Sequence, residues 1–316
     1  MFLLSPFTTV FSNFYYFWSY DHEYPLPLES KRHLHLAICP LSVVPVRHSP
    51  SQRSEMISQL LFGETVEVME EKGKQWCKVR ASCDNFIGWV ETNQLKAITP
   101  SEFERFNSHF SYSLELVQAV MGADHFIPIT MGARLPEFDG IRFHLGEVFY
   151  TFSGQAVAPG DFQPNADFII KLAKRYLNTP FLWGGRSPFG MDSPALVQMV
   201  FQMAGYKVPR EATEQIEIGD NIDFIENSQA GDLAFFENSQ GRISHVGILM
   251  PEGKVIHCFG GVRIDKIDHY GIYDETRQVY SKRLRLIKRI LPTILRKVSA
   301  GEMPEVESSG VQAELF

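Results

Sequence analysis

The order of the periodic patterns constrains this chain most: near its C-terminal end two helix-like runs come first and strand-like runs follow. NADFIIKLAKRYLN, residues 165–178, carries apolar residues at helical spacing. DSPALVQMVFQMAG opens on Asp192, a capping residue type, has Pro194 in its first turn and stops at Gly205. Then come DLAFFE, SHVGILM, KVIHCF and VRIDKI, each of strand length. Helices first and strands later, without βαβ alternation, specify an α+β unit. A glycine loop, GGRSPFG, runs straight into the second helix. No Gly-Lys-Ser/Thr follows it, so it is not a phosphate loop, and on its own it reads equally as a plain turn.

Upstream the pattern is different. From His35 to about Lys96, short apolar runs alternate with Pro, Gly, Ser and Asn, and ETVEVME and WCKVRA alternate residue by residue. Many short strands in so short a span predict a small β-barrel. Residues 101–160 read as a helix at SEFERFNSHF followed by further short strands, a second and less regular barrel. With 316 residues, 44% hydrophobic and 21% charged, the chain has room for two or three globular domains. A net charge of −7 argues against a nucleic-acid partner. Lys282, Arg283, Arg285, Lys288 and Arg289 interleave with Leu284, Leu286, Ile287 and Ile290, which reads as the face of a strand or helix.

The four cysteines (Cys39, Cys77, Cys83 and Cys258) have neither zinc nor disulfide-framework spacing. They read as free, buried thiols, with a Cys77–Cys83 bridge as the alternative if the two flank a hairpin. The stretch Met1–Tyr20 is uncharged, lacks the basic start and cleavage site of a secretory signal, and is marginal as a membrane span. A weak anchor, upstream sequence translated from an early start codon, and export all stay open. The compartment is unassigned between cytoplasm and periplasm, no firm membrane association is expected, and the oligomeric state is open.

Two histidines carry the chemistry. His245 opens SHVGILM and His257 lies in KVIHCF, with a short turn at Pro251–Gly253 between. Neighbouring antiparallel strands joined this way can put both rings on one face. A histidine pair on adjacent strands is, in general, more often ordinary hydrogen bonding than catalysis. A nucleophile at a helix N-terminus beside such a pair, however, has triad geometry.

TPFLWGGRSPFGMDSPALVQMVF resembles the nucleophile segment of NlpC-type papain-like cell-wall peptidases, and VPREATEQ, AGDLAFFE, SHVGILM and VIHCFGGVRID follow in that family's order. SVVPVRHSPSQRSEMISQLLFGE with FIGWV resembles the first bacterial SH3-like domain of the subgroup that cleaves γ-D-glutamyl-diamino-acid bonds. The resemblance spans roughly residues 36–290. It implies an α+β fold, with a papain-like catalytic domain (161–290) preceded by two small SH3-like β-barrels (35–98 and 99–160). Residues 1–34 form an N-terminal extension, and 291–316 a polar tail expected to be disordered.

The same resemblance implies roles. Ser193 stands at the nucleophile position, where the family has Cys; His245 is the general base and His257 its orienting partner. Asp192 and Glu55 hold the free amino group of the substrate, with Arg210 in the same binding set. Phe86 stands where relatives often have Tyr, which removes a hydroxyl contact. No metal and no organic cofactor is implied; the implied partner is a peptidoglycan stem peptide, L-Ala-γ-D-Glu-diamino acid.

Ser193 divides the functional reading. A thiol in such a frame ionises readily, whereas an alcohol must lose its proton as it attacks. Ala195, where the family has Gly, is expected to crowd the helix start with its extra methyl. Two readings follow: a hydrolase with an unusual nucleophile, or an inactive relative that binds muropeptides or serves as a scaffold. Cys258 is not a replacement, because its neighbour His257 takes the opposite face of the strand.

Overall fold

A computed structural model describes residues 35–160 and 164–292; the expectations for residues 1–34 and for the tail beyond 292 lie outside these. The first seven strands are Leu36–Ile38, Val43–Arg47, Met56–Leu61, Thr65–Lys72, Trp76–Ala81, Ile87–Glu91 and Lys96–Ala97. They form one antiparallel sheet, ordered third, second, sixth, fifth, fourth, first, seventh. Alternation in WCKVRA is realised: Cys77, Val79 and Ala81 are buried with Val44, Val46, Leu60 and Val90. All four cysteines are free and buried, so the alternative Cys77–Cys83 bridge is not made.

Helix Pro100–Ser108 follows, closed at its N-terminus by a capping box in which Thr99 and Glu102 satisfy each other's backbone amides. Beyond it the strands split into a four-stranded and a three-stranded sheet around one aromatic core of Phe106, Phe143, Tyr150 and Phe152. Phe62, from the first sheet, belongs to this core and meets Phe143 edge-on at 5.9 Å.

In the C-terminal region, helices Ala166–Arg175 and Ser193–Met203 precede a seven-stranded antiparallel sheet. Its spatial order is Asp220–Ile222, Val279–Arg289, Leu233–Glu237, Ile243–Met250, Lys254–Cys258, Val262–Ile267 and Gly271–Asp274. The last of these also pairs with Val279–Arg289, closing the sheet on itself. One face packs on helix Ser193–Met203 through Phe235, Val246, Ile248 and Ile256; the other encloses Ala234, Phe236, Leu249, Val255 and Ile287. Strands covered on both faces have no use for alternation, which is why LAFF and VGIL are apolar runs.

A buried ion pair joins the two ends of this architecture. Arg186, in the glycine loop, grips Glu64 of the first sheet with bonds of 2.8 and 2.9 Å. It also donates to the Gln59 carbonyl at 2.6 Å and to Gln198 at 3.0 Å. Both ion-pair side chains are almost fully buried. Gly184 lies at φ +74°, where a Cβ would stand 2.5 Å from the Met56 carbonyl; a side chain there would push the loop off the first sheet.

Candidate active site

Helix Ser193–Met203 begins where the chain leaves the glycine loop. The Asp192 carboxylate caps it by accepting from the Ala195 amide at 2.9 Å. The same carboxylate accepts from the Gly184 amide at 2.9 Å and from Arg210 at 3.0 and 2.5 Å. Four donors therefore converge on two oxygens, leaving Asp192 fully committed to shaping the loop and the helix start. Arg210 is buried behind it, also donates to Ser58 at 3.2 Å, and is not on the cavity wall.

Ser193 is the first helical residue, and it faces a cavity of about 440 Å³ shared with His245, Glu211, Trp183, Lys282 and Ile57 of the first sheet. Its backbone N–H donates to no described residue, as expected in a first helical turn, so a donor at the positive end of the helix is available. Its hydroxyl likewise makes no hydrogen bond to a described residue, His245 included.

The two histidines meet. Gly247 lies opposite His257 across the strand pair, so His245 sits diagonally on the same face. His245 Nε2 is 2.8 Å from His257 Nδ1, and His257 Nε2 is 2.9 Å from Asp265 Oδ2. Asp265 also accepts from Arg263 at 2.7 Å. The carboxylate can only accept, so His257 Nε2 must be the donor and Nδ1 the acceptor. His245 Nε2 is then the donor to Nδ1, and its own Nδ1 keeps the lone pair. Burial depresses the pKa of both rings; at His245 it is reinforced by His257 and Lys282, and at His257 it outweighs the pull of Asp265. His245 is thus a neutral acceptor at ordinary pH.

The sequence reading missed two groups. Asp265, in VRIDKI, acts from the third strand and extends the pair to a three-membered relay. Its signal was its place on the face of His257, two residues beyond that residue's cross-strand partner Arg263. Glu211, in VPREATEQ, lines the cavity, and burial raises its carboxyl against the lowering effect of Arg210. Glu55 is exposed and is not on the wall, but it lies close enough to Glu211 to raise it further. Phe86 is half-buried in a loop off the cavity wall. Ala195 is fully buried in the apolar core, so its methyl does not crowd the cavity as expected. The Cys258 thiol donates to the Met191 carbonyl at 3.0 Å, and burial pushes it up to about 12.

A buried histidine relay facing a helix N-terminus, behind an SH3-like front, defines the class: a papain-like α+β protein. Residues 178–281 match the NlpC/P60 family, and residues 46–95 match the bacterial dipeptidyl-peptidase SH3 domain. The chain thus carries an NlpC/P60 domain preceded by a bacterial SH3 domain. It is 28% identical over 253 residues to the gamma-D-glutamyl-L-lysine dipeptidyl-peptidase of Bacillus subtilis, covering 73% of this chain and 80% of that one. With the Bacillus cereus protein of the same name it shares 26% over 239 residues, covering 65% and 67%. The crystal structure of an NlpC/P60 family protein from Bacillus cereus superposes with a TM-score of 0.70 at 21% identity, over 81% of this chain and all of that one.

Proposed function

We propose that this chain hydrolyses the γ-D-glutamyl-diamino-acid bond of free peptidoglycan stem peptides, with Ser193 as nucleophile. The observation that carries the reading is the relay from Asp265 through His257, which leaves His245 Nδ1 as an unprotonated acceptor in the cavity Ser193 faces. Ser193 Oγ attacks the scissile carbonyl carbon as its proton passes to His245 Nδ1. The Ser193 amide donates to the developing oxyanion. His245 returns the proton to the leaving amine, and water then hydrolyses the Ser193 ester by the same relay. Glu211, with Glu55 beside it, receives the free ammonium of the substrate, while Asp192 and Arg210 hold the helix start in place. The names of the Bacillus relatives support this substrate class.

One observation favours a second reading, a cleft that captures the peptide without cutting it: the Ser193 hydroxyl is not hydrogen-bonded to His245. Release of diamino acid from L-Ala-γ-D-Glu-diaminopimelate decides between them, measured for the native protein, Ser193→Cys and Ser193→Ala. Turnover by the native protein above the alanine variant establishes the hydrolase. Turnover by the cysteine variant alone, with tight binding by the native protein, establishes the capture reading.

A further inference from the structure

A second cavity, of about 900 Å³, lies away from the relay, where the two N-terminal sheets meet the C-terminal end of helix Ser193–Met203. Its lining includes Arg134, Cys83, Tyr112, Gln202 and Tyr206 and none of the residues of the candidate active site.

Arg134 is 5% exposed, and no described carboxylate pairs with it. A buried guanidinium without an anion is costly. Glu64 favours its charged form from a distance, but no carboxylate among the described residues bonds it directly. Its Nη atoms make long contacts of 3.4 Å to Asn107 Oδ1 and Tyr112 Oη, and its Nε has no partner among the described residues. It lies 4.3 Å from the Phe110 ring centre, which polarises but does not compensate the charge. Glu64, the buried carboxylate whose charge reaches Arg134, has both oxygens taken by Arg186. Cys83 and Tyr112 are held protonated, since burial pushes both upward. On the cavity wall, Glu67 is engaged by Arg80 at 3.2 Å and Glu137 by Arg105 at 3.1 Å; Glu104 is exposed.

An independent feature points the same way. Gln202 is 4% exposed and accepts from Arg186 at 3.5 Å through Oε1, but its Nε2 donates to no described residue. The side chains that carry this amide donor and this weakly bonded guanidinium thus line one cavity. Phe110, Tyr112 and Tyr206 also line that space, and this aromatic surface is one that an organic carboxylate covers and a bare inorganic anion does not.

We propose that this cavity binds a short peptide through its free C-terminal carboxylate, which seats on Arg134 with Gln202 as the second donor. The site is separate from the cleft that holds Ser193, and its ligand needs no free amino group.

The test is calorimetric titration of the whole chain with N-acetyl-L-alanyl-L-alanine and with its C-terminal amide; the acetyl group keeps the probes from presenting an ammonium. The acid binds at least about tenfold more tightly than the amide. Gln202→Glu keeps the acceptor for Arg186, removes only an unused donor and sets a carboxylate against the ligand; it weakens the acid by about tenfold or more. Ala158→Trp, at a half-buried position of the wall, fills the cavity and abolishes binding of both probes without lowering the melting temperature enough to unfold the chain. Equal binding of acid and amide, no binding of either, acid affinity unchanged in both variants, or inorganic phosphate binding as tightly as the acid each overturns the proposal.

Discussion

Asp265 Oδ2 lies 2.9 Å from His257 Nε2, and through that one contact it determines which nitrogen of His245, a ring further on, carries a proton. Asp265→Asn keeps the shape but offers a donor or a neutral oxygen, so the order of donors along the relay is no longer imposed. Turnover is expected to fall about 10²-fold through kcat, with KM little changed. Steady-state kinetics on the native protein, and on Ser193→Cys if the native rate is too low, reads this out. A fall in affinity at constant kcat would place Asp265 outside the relay.

Burial of the same rings makes stability depend on pH with a definite sign. His245 and His257 are held below the ordinary value of 6.5 when folded, and regain it on unfolding. Between the folded value and 6.5 the unfolded chain binds more protons, so stability rises with pH through that window. It is fully present above 6.5 and is lost as the pH falls below it. Urea midpoints measured through this range are expected to drop on the acid side, and His257→Gln is expected to flatten the drop. A midpoint independent of pH there would contradict the burial of both rings.

The pair of histidines was legible because a short turn between two strand-length runs puts residues of matching parity on one face. Asp265 was not, because its relation to His257 is a diagonal across a third strand whose register no local pattern announces. The boundary between helices and strands was legible from periodicity; the closure of the sheet was not, since runs buried on both faces carry no face signal. Ala195 was misjudged because a position read as lining the cleft turns, with the helix, into the core. Arg186 and Glu64 are 122 residues apart, and nothing in GGRSPFG or LLFGE names the other.

That ion pair sets the second stability prediction. Glu64→Gln leaves the Arg186 guanidinium buried without its anion, at an expected cost of about 3–5 kcal/mol. Because Arg186 also holds Gln59 and Gln198, the loss is expected to loosen the glycine loop and to lower turnover with it. Denaturant unfolding gives the energy. If Glu64→Gln unfolds with the native midpoint, the pair does not join the first sheet to the loop.

Ala195→Gly separates the helix from the cavity. The Ala195 methyl is in the core and its amide caps on Asp192, so removing the methyl relieves nothing at the cleft. Added to Ser193→Cys, it is expected to leave kcat unchanged and to cost about 1 kcal/mol of stability. A clear rise in kcat would restore the crowding argument.

On the proposed function, the substrate amine is received by a carboxylate of the cavity, and there two acids differ in kind. Asp192 has its oxygens filled by four donors, whereas the Glu211 side chain has no hydrogen-bond partner among the described residues and is raised by burial. An ammonium group entering the cavity therefore meets Glu211 as the unfilled acceptor, with exposed Glu55 close behind. Glu211→Gln is expected to weaken a peptide with a free amino end by about tenfold while leaving an N-acetylated peptide, already a poor ligand, unchanged. As the pH falls, Glu211 takes up its proton above the ordinary carboxylate value of 4.5, so affinity for the amine declines earlier than an exposed glutamate would allow. Calorimetry of both peptides on Ser193→Ala, across pH, measures each effect without turnover. Equal losses for the free and acetylated peptides would show that Glu211 shapes the wall and does not meet the amine.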